Sequence, residues 1–266
     1  MKPPIPQKSL GQHWLTDYFS LSAMCDAVNA SDGDTILEIG PGLGTLTELL
    51  VERADNVTAV EFDKRLATDL PLRVPESNLT VVQSDILTFD FGSMLPDYKV
   101  VANIPYYLTS NLLRVMSETP NRPIEAALLV QKEVAQRVVA PAGKMSLLSV
   151  TAQFYWETSA GELVPAKLFT PPPKVDSQIL VLKRRNSPLF PDVDPKEFFR
   201  LVKAGFSNRR KTLSNSLSGG LQLEKPAVNQ LLTTAGINPG ARPQELSLGQ
   251  WHSLFLVVQQ SPTLNT

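Results

Sequence analysis

The chain has 266 residues, 42% hydrophobic and 19% charged, an ordinary composition for a globular protein of one large or two unequal domains. Its formal charge of −1, from 25 basic and 26 acidic residues, shows no whole-chain excess for nucleic acid. One cysteine, Cys25, excludes an internal disulfide framework and fits a reducing cytosol; one cysteine and two histidines, His13 and His252, leave almost no basis for a Cys/His zinc site. No apolar run reaches the roughly 18 residues of a membrane span, and residues 1–11 lack the apolar core of a secretory signal. A cytoplasmic protein without metal or membrane anchor is expected.

Thr35-Ile-Leu-Glu-Ile39 reads as a strand ending at Gly40. Residues 43–53 place Leu46, Leu49 and Leu50 at helical spacing. Further strands are expected at 57–61, 79–82, 99–103 and 126–130, with a helix over 64–72 that ends before Pro75. Strands alternating with helices predict right-handed βαβ units, hence an α/β doubly wound, mostly parallel sheet. Residues 147–156 and 178–182 read as two more strands, and Pro171-Pro-Pro173 argues against regular structure between them.

After Lys183-Arg-Arg185 the composition changes. Pro188, Pro191 and Pro195 mark a connector, with Asp194 a helix N-cap and Pro195 the first helical residue. Phe198, Phe199, Val202 and Phe206 then recur at helical spacing, and 227–235 and 248–258 read as helices. No strand is expected beyond about residue 184. The division is a Rossmann-like catalytic domain at 1–183 and a small all-helical domain at 184–266. Charge divides the same way: residues 1–182 carry a net −7 and residues 183–266 a net +6.

Glu38-Ile-Gly-Pro-Gly-Leu-Gly44 sits at a strand–turn–helix crossover, where doubly wound sheets bind ligands. A dinucleotide fingerprint needs glycine at 45 or 47, and both are threonine. The spacing disfavours NAD and resembles the loop of class I S-adenosylmethionine-dependent methyltransferases. Glu61 ends the next strand, 21 residues after Gly40, where a carboxylate can accept from both ribose hydroxyls. Asp85 follows the third strand, placed to accept from an adenine amino group or to cap a turn.

Asn103-Ile-Pro-Tyr106 ends the fourth strand, on the same sheet edge. An adenine N6 amine is a poor nucleophile because its lone pair is delocalised into the ring. The Asn103 side-chain oxygen and a main-chain carbonyl at Ile104 or Pro105 can each accept one amine hydrogen, which favours a tetrahedral nitrogen aimed at a methyl sulfonium. Such chemistry is positioning and hydrogen bonding, without a strong base. Tyr106 offers a face for a base, worth roughly 1–3 kcal/mol.

These motifs resemble, in order, those of the rRNA adenine N6-dimethyltransferase family, most of all its small-subunit branch. Lys8-Ser-Leu-Gly-Gln-His-Trp-Leu15 is similar to the family's opening K-x-x-G-Q-[NH]-F-L, with Trp14 where phenylalanine is usual. Phe169-Thr-Pro-Pro-Pro-Lys-Val-Asp-Ser177 resembles F-x-P-x-P-x-V-x-S, and Phe206-Ser-Asn-Arg-Arg-Lys-Thr-Leu213 a C-terminal basic helix motif. The resemblance implies S-adenosylmethionine as cofactor. His13, Leu15, Gly40, Gly42, Glu61, Asp85 and Asn103 would hold it, with Gly40 at the amino-acid moiety, Glu61 at the ribose and Asp85 at the adenine. Asn103 and Pro105 would belong to the catalytic tetrapeptide, and Tyr106 and Phe169 would sandwich a flipped adenine.

Arg209, Arg210 and Lys211 lie in a stretch, 200–211, with five basic residues and no acid. A charge run is often only a solvated face; beside a base-modifying site it reads as an RNA phosphate anchor. The resemblance implies a monomer acting on small-subunit rRNA in a 30S precursor particle, with four methyl groups placed on two adjacent adenosines. Three alternatives stand beside it: a large-subunit rRNA dimethyltransferase of the macrolide-resistance type, a non-catalytic rRNA-binding factor, and, remotely, a NAD oxidoreductase.

Overall fold

The computed structural model describes residues 6–7, 11–208 and 210–261. A two-residue strand, β1 (Trp14–Leu15), leads into α1 (Tyr18–Asp26), which Asp17 caps by accepting the Ser20 N–H at 2.9 Å. Two βα units follow, β2 (Thr35–Ile39) with α2 (Thr45–Val51) and β3 (Asn56–Glu61) with α3 (Lys64–Arg73), then the strand β4 (Leu79–Gln83). β5 (Lys99–Asn103), α4 (Thr109–Glu118) and β6 (Glu125–Gln131) complete the parallel part. α5 (Lys132–Val138), α6 (Leu147–Tyr155), β7 (Trp156–Val164), β8 (Phe169–Thr170) and β9 (Ser177–Arg184) come next. The chain closes on α7 (Pro195–Phe206), α8 (Leu213–Leu221), α9 (Lys225–Thr234) and α10 (Leu248–Gln259).

Seven strands form one sheet in the order β4-β3-β2-β5-β6-β9-β7. β4 to β6 are parallel, and β9 pairs antiparallel with both β6 and β7. Val100, Val101 and Ala102 of β5 and residues 126–130 of β6 are fully buried, as strands covered on both faces require. Chain order reverses between β2 and β5, so the carboxyl ends of these strands open a crevice there.

The chain divides into two compact units, Met1–Gln136 with Trp156–Arg184, and Arg137–Tyr155 with Arg185–Thr266. The second unit is helical apart from its loops, with a core of Phe198, Val202, Leu217, Leu232, Trp251 and Leu254. It takes residues 137–155 from the middle of the chain, which the composition had placed in the catalytic domain.

The strands expected at 35–39, 57–61, 79–82, 99–103 and 126–130 are present within a residue at either end. Residues 147–155, read as a strand, are helical. Ser146 and Ser149 explain it: each hydroxyl accepts the other's backbone N–H, at 3.2 and 2.9 Å, which closes the helix start. β7 occupies part of the stretch expected to be irregular; the prolines lie only after it. α3 runs through Pro71 to Arg73, one residue beyond the expected end. α1, α4, α5 and α8 were not foreseen.

Candidate active site

The glycine loop, residues 40–44, leaves β2 at the crevice. Gly40, Gly42 and Gly44 all have φ between 58° and 88°, backbone that side chains resist. Two of them also have no room for a side chain. A Cβ on Gly42 would sit 2.8 Å from the Trp14 ring, and one on Gly44 would sit 2.8 Å from Leu70 Cδ1. The first lets β1 close on the loop, and the second lets the start of α2 pack on α3.

Glu61, 6% exposed, is fixed from both sides. Oε2 accepts the Gly42 N–H at 3.1 Å and Oε1 accepts the Asp63 N–H at 2.8 Å. Burial pushes its pKa up, against the pull of these backbone bonds. Asp85 Oδ1 accepts the Leu87 N–H at 2.9 Å, so one oxygen caps the turn after β4 while the residue lines the crevice. The turn-cap reading of Asp85 therefore holds, in a residue that also faces the crevice.

Asn103 ends β5. Pro105 opens a one-turn 3-10 helix, Tyr106–Leu108, and its carbonyl accepts the Leu108 N–H at 3.0 Å. The Thr109 hydroxyl donates to the Tyr106 carbonyl at 3.0 Å, which ties the tetrapeptide to the start of α4. The Tyr106 hydroxyl meets Ser177 Oγ at 2.8 Å.

β1 pairs antiparallel with β8, placing Leu15 opposite Phe169 and Trp14 opposite Thr170. The Thr45 hydroxyl donates to the Leu15 carbonyl at 2.9 Å. His13 Nδ1 lies 2.7 Å from the Pro171 carbonyl, which only accepts, so Nδ1 carries a proton. This bond gives His13 a clasping contact and no base chemistry at that nitrogen. Its ring runs near-parallel to Tyr106, 19° between planes and 6.2 Å between centroids.

His13, Leu15, Gly40, Gly42, Glu61, Asp85, Asn103, Pro105, Tyr106 and Phe169 all line one cavity of about 380 Å³ in the first unit. That volume lies in the usual range for small-molecule sites, roughly 300–1,000 Å³. The ring facing Tyr106 is that of His13; Phe169 lies buried in the wall, 3% exposed.

Four other lining residues shape the cavity's chemistry or its rim. Glu38 is 1% exposed, and neither carboxylate oxygen has a hydrogen-bond partner. Burial, reinforced by the Glu61 charge and opposed by the nearby Thr47 hydroxyl, pushes its pKa up to about 8. Trp14 covers Gly42. Phe62 and Tyr107 stand 57% and 62% exposed at the rim. An aromatic directly after the acid expected at the ribose, as in Glu61-Phe62, was the available signal for Phe62. Trp14 and Glu38 are settled only by folding.

Among its described basic residues, the basic segment is helical only at Arg200 and Lys203, in α7. Arg210 and Lys211 are exposed in the turn between α7 and α8, and Arg209 lies outside the described residues. Phe206, at the end of α7, stacks on Trp251 with centroids 5.6 Å apart. Among the described residues no cluster of three metal-ligating side chains occurs, and no helix is long and apolar enough to cross a membrane.

Solved structures share this architecture. The 23S rRNA methyltransferase ErmE is 30% identical with a TM-score of 0.74 over 93% of this chain and 100% of its own. A dimethyladenosine transferase from Plasmodium falciparum is 25% identical with a TM-score of 0.80 over 93% and 98%. Fold and site together define a class I, S-adenosylmethionine-dependent methyltransferase.

The model of the ribosomal RNA adenine dimethylases matches residues 6–260, and the chain belongs to that family. Curated relatives named ribosomal RNA small subunit methyltransferase A are 41% identical in Dehalococcoides mccartyi, over 96% of this chain and 89% of theirs, and 39% identical in Moorella thermoacetica, over 96% and 93%. The protein is an enzyme that methylates ribosomal RNA with S-adenosylmethionine as methyl donor.

Proposed function

We propose that the protein converts two adjacent adenosines, in a hairpin near the 3′ end of small-subunit rRNA, to N6,N6-dimethyladenosine. The carrying observation is that nucleoside-holding acids and the Asn103–Tyr106 tetrapeptide share one cavity at the strand-order reversal. The small-subunit target follows the relatives at 39–41% identity; the ErmE likeness, at 30%, is the basis of the large-subunit alternative.

The cavity suits this cofactor. S-adenosylmethionine supplies an electrophilic methyl group on a positively charged sulfur. Glu38, buried without partners, is the group a cation with an ammonium would satisfy. Glu61, held by two backbone N–H groups, has lone pairs left for ribose hydroxyls. Asp85 Oδ2 would take the adenine amino group, and Phe62 would cover the ring.

At the target base, the Asn103 side-chain oxygen accepts one N6 hydrogen. The Pro105 carbonyl already accepts from Leu108, which favours the Ile104 carbonyl as the second acceptor and gives Pro105 the shaping of the turn. Tyr106 supplies a stacking face, with Phe169 in the wall behind. After the first transfer one N6 hydrogen remains, and a single acceptor suffices to orient the lone pair again.

The second unit supplies RNA anchors. Three of its loops are joined by backbone bonds: Gly143 N–H to the Gln244 carbonyl at 3.0 Å, Met145 N–H to the same carbonyl at 3.2 Å, and Leu213 N–H to the Ala241 carbonyl at 2.7 Å. They bring exposed Lys144, Arg210, Lys211 and Arg242 to one region. This reading adds Lys144 and Arg242 to the basic segment as phosphate contacts. The acceptor is the 30S precursor particle, and the enzyme works as a monomer in the cytoplasm.

Tritiated-cofactor transfer to 30S particles lacking the modification, beside large-subunit RNA, tests the target. Label in the small-subunit RNA alone is expected; label only in the large-subunit RNA would sink the assignment. Asn103→Ala should lower turnover by about 10²–10³-fold with an unchanged melting temperature. Near-normal turnover would remove Asn103 from the chemistry.

A further inference from the structure

Residues 169–177 end in Asp176 and Ser177, to which the chemistry above gives no role. Ser177 opens β9 and is fully buried, in register with Gln131 of β6 on one side and Val164 of β7 on the other. Its hydroxyl holds the Tyr106 hydroxyl at 2.8 Å. One residue earlier, Asp176 Oδ1 accepts the Ala166 N–H at 2.9 Å. Ala166 begins the one-turn 3-10 helix, Ala166–Leu168, that hands the chain directly to Phe169. The Asp176 carbonyl also accepts the Lys132 N–H at 3.0 Å, which pins the dipeptide to the end of β6. Ser177, at the start of β9, thus holds Tyr106 by its side chain, and Asp176, just before the strand, holds Phe169 through the turn that precedes it.

A stacking ring needs this. Tyr106 sits on a short turn, and its side chain has two soft torsions. A fixed hydroxyl at the far end of the ring restricts both, because rotating the ring would break the bond and leave a half-buried phenol unpaired. Ser177 opens a strand that is paired on both sides, by β6 and β7, so the reference point does not move with the turn. We propose that Asp176 and Ser177 are positioning residues for the target base: Ser177 sets the plane of the Tyr106 ring, and Asp176 sets the turn that delivers Phe169. The proposal rests on the assignment of Tyr106 and Phe169 as the residues that receive the flipped adenine.

A double-mutant cycle on 30S particles lacking the modification tests it. Ser177→Ala and Tyr106→Phe remove the two ends of one hydrogen bond. Each should lower kcat about tenfold, and the double variant should be no slower than the slower single. Cofactor affinity, read by calorimetry, should stay within about twofold, since neither group faces the cofactor's acids. Losses that multiply in the double variant would overturn the proposal, as would a fall in cofactor affinity equal to the fall in turnover. Asp176→Asn keeps an acceptor for Ala166 and should keep turnover, whereas Asp176→Ala should not; equal turnover in both would remove Asp176 from the role. Tyr106→Ala separates the two assignments. If it turns over normally, the stacking assignment fails first. If it is inactive while Ser177→Ala is normal, the positioning proposal alone fails.

Discussion

Glu38 carries an unusual burden for a residue that the sequence marks only as the acid before a glycine loop. Its ordinary value of 4.5 rises to about 8, burial being the main cause. Between these values the unfolded chain is ionised while the folded one stays protonated. The contribution of Glu38 to stability is therefore most favourable below about pH 4.5, falls as pH rises, and levels above about 8. Glu38→Gln should flatten that fall in the unliganded enzyme, read as melting temperature from pH 5 to 8. A cationic cofactor acts in the opposite sense by drawing the proton off. Binding near pH 7 should release about one proton, seen as a dependence of calorimetric enthalpy on the ionisation heat of the buffer. Glu61 is raised in the same direction, so the variant is the control that assigns the proton. Undiminished release in Glu38→Gln would place the titration elsewhere. The acids and amide of the site could be found in the sequence because each ends a strand at a recognisable spacing. The coupling of Glu38 to Glu61, and the Ser177 bond to Tyr106, join residues 23 and 71 positions apart, and only the folded sheet brings them together.

At the scale of elements, strands were easier to place than helices. The parallel strands are short runs dominated by apolar and β-branched residues, and burial of β5 and β6 on both faces leaves the central ones no alternative. α6 misled because its residues Leu147-Leu-Ser-Val-Thr-Ala-Gln-Phe-Tyr155 are apolar or small on most sides, which blurs a 3.6-residue period. The Ser146/Ser149 pair at its start was the better signal. α8 was hidden by Gly219 and Gly220, poor helix formers; a Cβ on Gly220 would lie 2.6 Å from Ala204 Cβ, so close approach of α7 demands the glycine. The same logic governs the contact of β1 with the glycine loop. Gly42→Ala meets both a positive φ and the Trp14 ring, and should weaken cofactor binding at least about tenfold while costing about 1–2 kcal/mol of stability. Adding Trp14→Phe removes the ring atoms nearest the new methyl and should recover part of the affinity but not the backbone cost. Equal affinity in the single and double variants would show that Trp14 is not the obstacle.

For the whole molecule, the near-zero net charge is an average over two different tasks. The acidic part holds the cationic cofactor's site, and the basic part carries the proposed anchors. The sequence located the anchor segment as a helix, and folding places Arg210 and Lys211 in a turn instead; a turn can gather cations from loops far apart in sequence, which is why Lys144 and Arg242 escaped notice. A phosphate contact has a specific signature: each one lost lowers the slope of log affinity against log salt by about 0.7–0.9. Charge reversal at Arg210 and Lys211 should therefore weaken RNA binding strongly at low salt and flatten its salt dependence. Lys144→Glu and Arg242→Glu should each do the same to a smaller degree. Cofactor affinity and the turnover rate at saturating RNA should stay near normal, because these side chains lie outside the cavity lining. A salt slope unchanged from wild type at all four positions would return them to an ordinary solvated surface and leave RNA binding to the first unit alone.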